Sequence, residues 1–210
     1  MKAEGSGGVR VFAIMSLVTL LAAGCSFVRP SPVKQTFLLD PALPTAVAAT
    51  HTGTARVGIV TVAAPFRGKP FVFRGAELKY ESDFYDEFLV QPSSIVGDAT
   101  ARALISAKVF STVSPPGIAA EADWIIDCFV EALYGDVRKA PASMAVLEMT
   151  YYVTRANTVN GAPSWSKKYA RRVAVKANTA EAYVVAQNAA LGEILEELVR
   201  DLAQLALARS

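Results

Sequence analysis

Histidine is nearly absent from this chain, with one residue, His51, among 210. A Ser-His-Asp arrangement or a histidine-built zinc site would have to rest on that single side chain. It stands in an Ala-, Thr- and Pro-rich stretch with no acid or cysteine close by, and reads as an exposed loop histidine. Cysteine is almost as scarce, with only Cys25 and Cys128. If the sulfur of Cys25 is consumed by lipidation, no intrachain disulfide can form, and packing and hydrogen bonds must hold the fold. Phosphate-cradling glycine motifs are missing too. No G-x-G-x-x-G occurs, and Gly68-Lys69 lacks the glycine five residues earlier and runs into Pro70. Neither sign of charge dominates: 21 Lys+Arg stand against 19 Asp+Glu, and no basic stripe exists to follow a phosphate backbone. Nucleic acid is therefore not an expected partner. Nothing in the sequence calls for a cofactor or a metal, and the chain is expected to be no enzyme.

What the chain does have is a distinctive beginning. Lys2 and Arg10 make a weakly basic start, and residues 11–23 are uncharged and mostly apolar. That run matches the ~7–15-residue core of a signal peptide and is shorter than the ~20 residues a spanning helix requires. It closes on Leu21-Ala22-Ala23-Gly24-Cys25, with small side chains just before a cysteine. The arrangement resembles a lipobox, which makes residues 1–24 a lipoprotein signal peptide and Cys25 an acylated N-terminus. Ser26 follows the cysteine in place of Asp, which fits export to the outer membrane in preference to retention at the inner one. Residues 25–35 then form a lipidated tether with two prolines and no periodicity, reaching at most about 35 Å.

Residues 36–210 read as one domain. Residues 36–40 are strand-like and end at Pro41, and residues 41–53 read as a loop. In residues 55–63 both alternating sets are largely apolar, the pattern of a central strand covered on both sides. Residues 71–74 and 77–80 flank Gly75-Ala76 as a two-residue hairpin. Pro92 opens a helix with a narrow face of Val96, Ala99, Ala103 and Ala107. A strand over residues 110–113 follows, then three longer ones over 123–134, 143–158 and 164–176, the last two joined by the turn pair Asn160-Gly161. Asn178 and Glu181 have capping-box spacing. From there a helix of about 40 Å runs to about residue 208. Leu191, Ile194, Leu195, Leu198, Leu202 and Leu205 form its buried stripe, and Glu193, Glu196, Glu197, Arg200 and Asp201 its wet side. The fold class expected is α+β: a mostly antiparallel sheet with two main helices, the longer one C-terminal.

Chemistry is concentrated nowhere. The densest polar stretch is residues 80–88, Tyr-Glu-Ser-Asp-Phe-Tyr-Asp-Glu-Phe. It lacks the turn glycine and ligand spacing of a calcium loop and the separated carboxyls of a glycosidase. Two readings remain: a strand-to-helix connection whose aromatics complete the core, or a docking segment. In the second, Phe84, Tyr85 and Phe88 anchor a partner while Asp83 and Asp86 select it. Cys128 shares a strand face with Trp124, Ile126 and Val130, and reads as a small buried hydrophobe. Trp165 opens a strand and suits packing or binding equally.

Several stretches, taken in order, resemble the ABC-type transport auxiliary lipoprotein family, the lipoprotein component of MCE-type lipid transport systems. They are the lipobox at Cys25, Phe37-Leu38-Leu39-Asp40, and the strand over 57–62 with its following proline. Next come Phe71-Val72-Phe73-Arg74 with Glu77-Leu78-Lys79-Tyr80, then Tyr85, and the helix from Pro92 that ends in Lys108-Val109-Phe110-Ser111-Thr112-Val113. Ala122-Asp123-Trp124, Pro163-Ser164-Trp165-Ser166 and the long last helix complete the series. One departure is that Phe88 stands near a position where the family commonly carries tryptophan. The resemblance implies a non-enzymatic subunit on the periplasmic side of the cell envelope, held by acyl chains on Cys25. Its implied partners are an MCE-domain protein and ABC transporter subunits that move phospholipid or another apolar molecule; homo-oligomerisation stays open. The alternative class is an outer-membrane assembly lipoprotein that supports barrel or lipopolysaccharide insertion.

Overall fold

The computed structural model describes residues 33–47, 51–118, 120–157 and 162–205. The signal segment, Cys25, the Asn160-Gly161 turn and the last residues of the chain lie outside that set.

The architecture is organised by one long strand. β6 (Trp124–Asp136) pairs along one edge with β7 (Met144–Arg155), antiparallel from Trp124↔Arg155 to Asp136↔Met144. Its other edge is divided between two partners. β2 (His51–Val62) runs parallel to its first half, with Ala55↔Trp124 and Val62↔Val130. β3 (Pro70–Arg74) takes the far end through Phe73↔Gly135 and Arg74↔Asp136. Between them Ala64–Phe66 forms a 3-10 turn, and the Phe66 ring stacks on Tyr134 at 5.7 Å. The sheet extends from β2 to β5 (Phe110–Ser114), from β7 to β8 (Trp165–Ala174), and from β3 through β4 (Tyr80–Phe88) to β1 (Gln35–Phe37). Among the described residues eight strands make one mixed sheet whose two longest ladders, β6–β7 and β7–β8, are antiparallel. The fold is α+β, as expected.

Both helices cover the same face. α1 (Pro92–Ala107) packs on β2 and β5, and α2 (Ala180–Gln204) on β7 and β8. On α1 the small residues Ala99, Ala103 and Ala107 are fully buried, so the helix backbone lies close to the sheet. The helix starts at Pro92, whose missing N–H costs nothing there, and stops where Lys108 turns left-handed at φ 56°. Its one buried hydroxyl is satisfied twice: Thr100 Oγ1 donates to the Val96 carbonyl and meets Tyr151 Oη at 2.7 Å. On α2 the side chains of Leu191, Ile194, Leu195, Leu198 and Leu202 are all solvent-inaccessible. Its first turn is capped by Thr179, whose hydroxyl accepts from Ala182 N at 3.2 Å, one residue later than the spacing of Asn178 and Glu181 suggested.

Several expectations need correction. The histidine does not sit in a loop. It is the first residue of β2, paired with Phe110 of β5, and its Nε2 donates to the Leu202 carbonyl at 2.6 Å. That carbonyl lies in the last turn of α2, where a side-chain donor is most useful. Strand β2 is also not covered on both sides along its whole length. Its register with β6 shifts between Val57 and Val60, so Ala55, Val57 and Val62 are buried while Ile59 is 73% exposed. Gly58 allows the shift: a Cβ there would lie 2.2 Å from Asp127 Oδ1, the oxygen that accepts from Ile59 N at 2.6 Å. The hairpin between β3 and β4 closes over five residues, since Arg74 pairs with Tyr80. The Arg74 guanidinium reaches the Glu77 carbonyl at 2.6 Å and holds the wider loop. Finally, the wet side of α2 is only partly wet. Glu197 and Asp201 are half-buried against β8, paired with Lys167 at 2.9 and 2.7 Å.

Candidate contact surface

Residues 80–88 form neither a connection nor a flat strand. In the β3–β4 ladder Val72 pairs with Ser82 and Pro70 with Glu87, so the one residue Phe71 faces four residues, Asp83 to Asp86. The extra length folds around Asp83. Its Oδ1 accepts from Tyr85 N at 2.8 Å and Asp86 N at 3.0 Å, a local turn that a short carboxylate can make and a longer side chain cannot. The turn expels Phe84, which is 79% exposed, and Tyr85 is exposed beside it, the two rings meeting edge to face at 5.1 Å.

Beyond the turn the strand returns inward. Phe88 is 2% exposed and packs edge to face on Phe71 at 4.7 Å; Phe71 in turn touches Phe37 and Tyr183. Of the five residues expected to dock a partner, Phe88 is thus core, and the hydrophobic contact that fixes β4 leaves it no free surface. Asp83, Phe84, Tyr85 and Asp86 do come together. Asp83 and Asp86 border a cleft of about 290 Å³ lined by Phe73, Val137, Val175 and Tyr183 and closed by Thr179 and Ala180 at the start of α2. The Asp86 carboxyl is raised above its ordinary range, first by burial and then by the charges of Asp83 and Glu181. Among the described residues, no ion pair involves Asp83, Asp86 or Glu181.

The surface is larger than the segment first singled out. β1 joins β4 in parallel, with Gln35 opposite Asp86 and Phe37 opposite Phe88, and Leu89 N donates to the Phe37 carbonyl at 2.7 Å. Leu38, Leu89 and Val90, which flank this short ladder, are all exposed. A signal for them was present in Phe88-Leu89-Val90: three apolar residues in succession at the end of a strand cannot all face one core.

The remaining candidates are structural. Cys128 is buried, and burial pushes its thiol well above the ordinary range. Trp165 is half-buried and packs against the core. No group of three or more His, Cys, Asp or Glu among the described residues is placed to hold a metal ion. No described helix is long and apolar enough to cross a membrane.

No family model and no curated protein matches the chain in sequence. Solved structures do match in fold. A Xanthomonas campestris protein described by the family model DUF330 superposes with a TM-score of 0.71 at 13% identity, over 79% of this chain and 92% of its own. A second, uncharacterized protein gives a TM-score of 0.59 at 11% identity, over 82% of this chain and 97% of its own. At such identities the likeness is one of fold: the chain has the architecture of DUF330 proteins.

Proposed function

We propose that this chain is a lipid-anchored auxiliary subunit of an MCE-type ABC transport system, working on the periplasmic side of the envelope on phospholipid or another apolar molecule. The observation that carries the reading is the ordered series of motifs that resembles the auxiliary lipoproteins, from the lipobox at Cys25 to the last helix. The α+β fold that the chain shares with a DUF330 protein over most of both chains is compatible with it. The chemistry is compatible with an accessory role. The one histidine is engaged with a helix carbonyl, the thiol of Cys128 is buried, and Lys167 and Arg171 of β8 are held in ion pairs with acids of α2. In this reading Cys25 attaches the domain to the outer membrane in preference to the inner one.

Affinity purification of the tagged protein from solubilised envelopes tests it. MCE-domain and ATPase subunits should co-purify, and Cys25→Ser should lose acyl labelling and leave the membrane fraction. Recovery of barrel-assembly or lipopolysaccharide-insertion components in their place would favour the outer-membrane assembly reading. A Cys25→Ser protein that stays processed and membrane-bound would remove the anchor.

A further inference from the structure

The exposed aromatic corner invites a protein partner, one of the two readings that residues 80–88 allow in sequence. Its position on the domain argues for another occupant. We infer that the β1–β4 corner, centred on Phe84, Tyr85 and Leu89, rests on the surface of a bilayer of zwitterionic lipid. The inference depends on the lipid-anchored reading of Cys25 given above.

Three observations lead there. The first is where the chain enters. Cys25 precedes Gln35 by ten residues, which span at most about 35 Å. Gln35 pairs with Asp86, two residues after Phe84. An acyl chain on Cys25 therefore holds this corner nearer the membrane than it holds the opposite sheet edge at β5. The second is composition. Leu38, Phe84, Tyr85, Leu89 and Val90 are exposed within a few residues of one three-residue ladder. A phenylalanine beside a tyrosine suits the headgroup boundary, where an apolar ring enters lipid and a phenol stays wet. A single weak surface contact becomes substantial once an anchor removes the cost of bringing it to the membrane.

The third observation selects the lipid. Asp83, Asp86 and Glu181 adjoin the corner with no ion pair to a Lys or Arg among the described residues. Such a rim repels phosphatidylglycerol and cardiolipin, whereas the ammonium groups of phosphatidylethanolamine and phosphatidylcholine meet it favourably. Lys34 and Lys69 offset this only in part: both face the single carboxylate of Glu87, so one positive charge remains there against the three carboxylates of the rim.

Depth measurements on the full acylated protein in phosphatidylcholine–phosphatidylethanolamine vesicles test the idea. Single cysteines for an environment-sensitive fluorophore replace Phe84, Leu89 or, as a control beyond the far edge of the sheet, Ile118; Cys128 is buried and takes no label in the folded protein. The labels at 84 and 89 should shift to the blue and be quenched when brominated phosphatidylcholine is included, and the label at 118 should not. Phe84→Asp should cut quenching at 89 while the protein stays in the vesicle pellet. Replacing half of the lipid with phosphatidylglycerol should reduce quenching at both sites at low salt. Labels at 84 and 89 that behave like the one at 118 on vesicle-bound protein overturn the inference and leave the anchor intact. So does shielding of these labels that appears only after transporter subunits are added. Mass spectrometry of the mature protein reports acylation separately, and an unmodified Cys25 removes the anchored reading and this inference together.

Discussion

Arg138 grips Asp136 from two residues away. Its Nε and Nη2 donate to the two carboxylate oxygens at 2.9 and 2.7 Å, and Arg172 Nη2 adds a third contact at 2.7 Å. Asp136 is the last residue of β6 and is buried, at the point where β6 passes from β3 to the loop before β7. Two arginines on a buried carboxylate hold its pKa far below the ordinary carboxylate range, with the Arg138 hydrogen bond the largest cause. Folding thus depresses this pKa, so its stabilisation is complete above an ordinary carboxylate pKa of about 4 and wanes as pH falls toward the folded value. Asp136→Asn should cost about 1–3 kcal/mol at neutral pH. It should also flatten the loss of stability below about pH 4; urea titrations between neutral and acid pH read both effects, and an unchanged acid profile would count against the arginine clamp.

The last helix separates two kinds of contact in adjacent residues. Leu198 is fully buried, and Leu198→Ala should cost about 2–5 kcal/mol through lost burial and a residual cavity. Glu197 faces Arg171 and Lys167 of β8, and the hydrogen bond from Arg171, followed by that from Lys167, lowers its pKa. Glu197→Ala should therefore cost about 1 kcal/mol, lessened by salt, whereas the exposed Glu196→Ala should stay within about 0.5 kcal/mol. Denaturant midpoints in low and high salt distinguish the three.

The two phenylalanines that bound the Asp83 turn should respond in opposite ways. Phe88→Ala removes a ring packed on Phe71 and should cost about 3–5 kcal/mol. Phe84→Ala removes an exposed ring and should change stability by less than about 0.5 kcal/mol. A destabilisation at Phe84 as large as at Phe88 would show the outward aromatic to be part of the core.

Cys128 should be inert in the folded state. Its thiol is buried and shifted upward, mainly by desolvation, so almost no thiolate exists at neutral pH. Iodoacetamide should leave it unmodified in buffer and label it fully in urea, as mass spectrometry would report. Rapid labelling without denaturant would mean that the sheet opens around β6 and exposes the thiol.

The sequence alone was enough for the order and kind of most elements, because each carries a local cause. Helix α1 follows from Pro92 and small residues at helical spacing, and α2 from leucines every three or four positions, without knowledge of what they pack against. Strand β6 is legible from Trp124, Ile126, Cys128 and Val130 alternating on one face. Tertiary structure decided what depends on pairing between distant segments. The alternation of β2 turns over at Gly58 because β6 places Asp127 there, a contact between residues 69 positions apart. His51 finds a helix end 151 residues later, and the strand read over residues 36–40 forms instead over Gln35–Phe37, where β4 offers it an edge. The contact surface divided in the same way. Its aromatics and carboxylates were visible as residues 80–88, but inward and outward could not be assigned to Phe88 and Phe84. Burial of one and exposure of the other follow from an inserted turn that breaks the two-residue period, and that turn exists only against the partner strand β3.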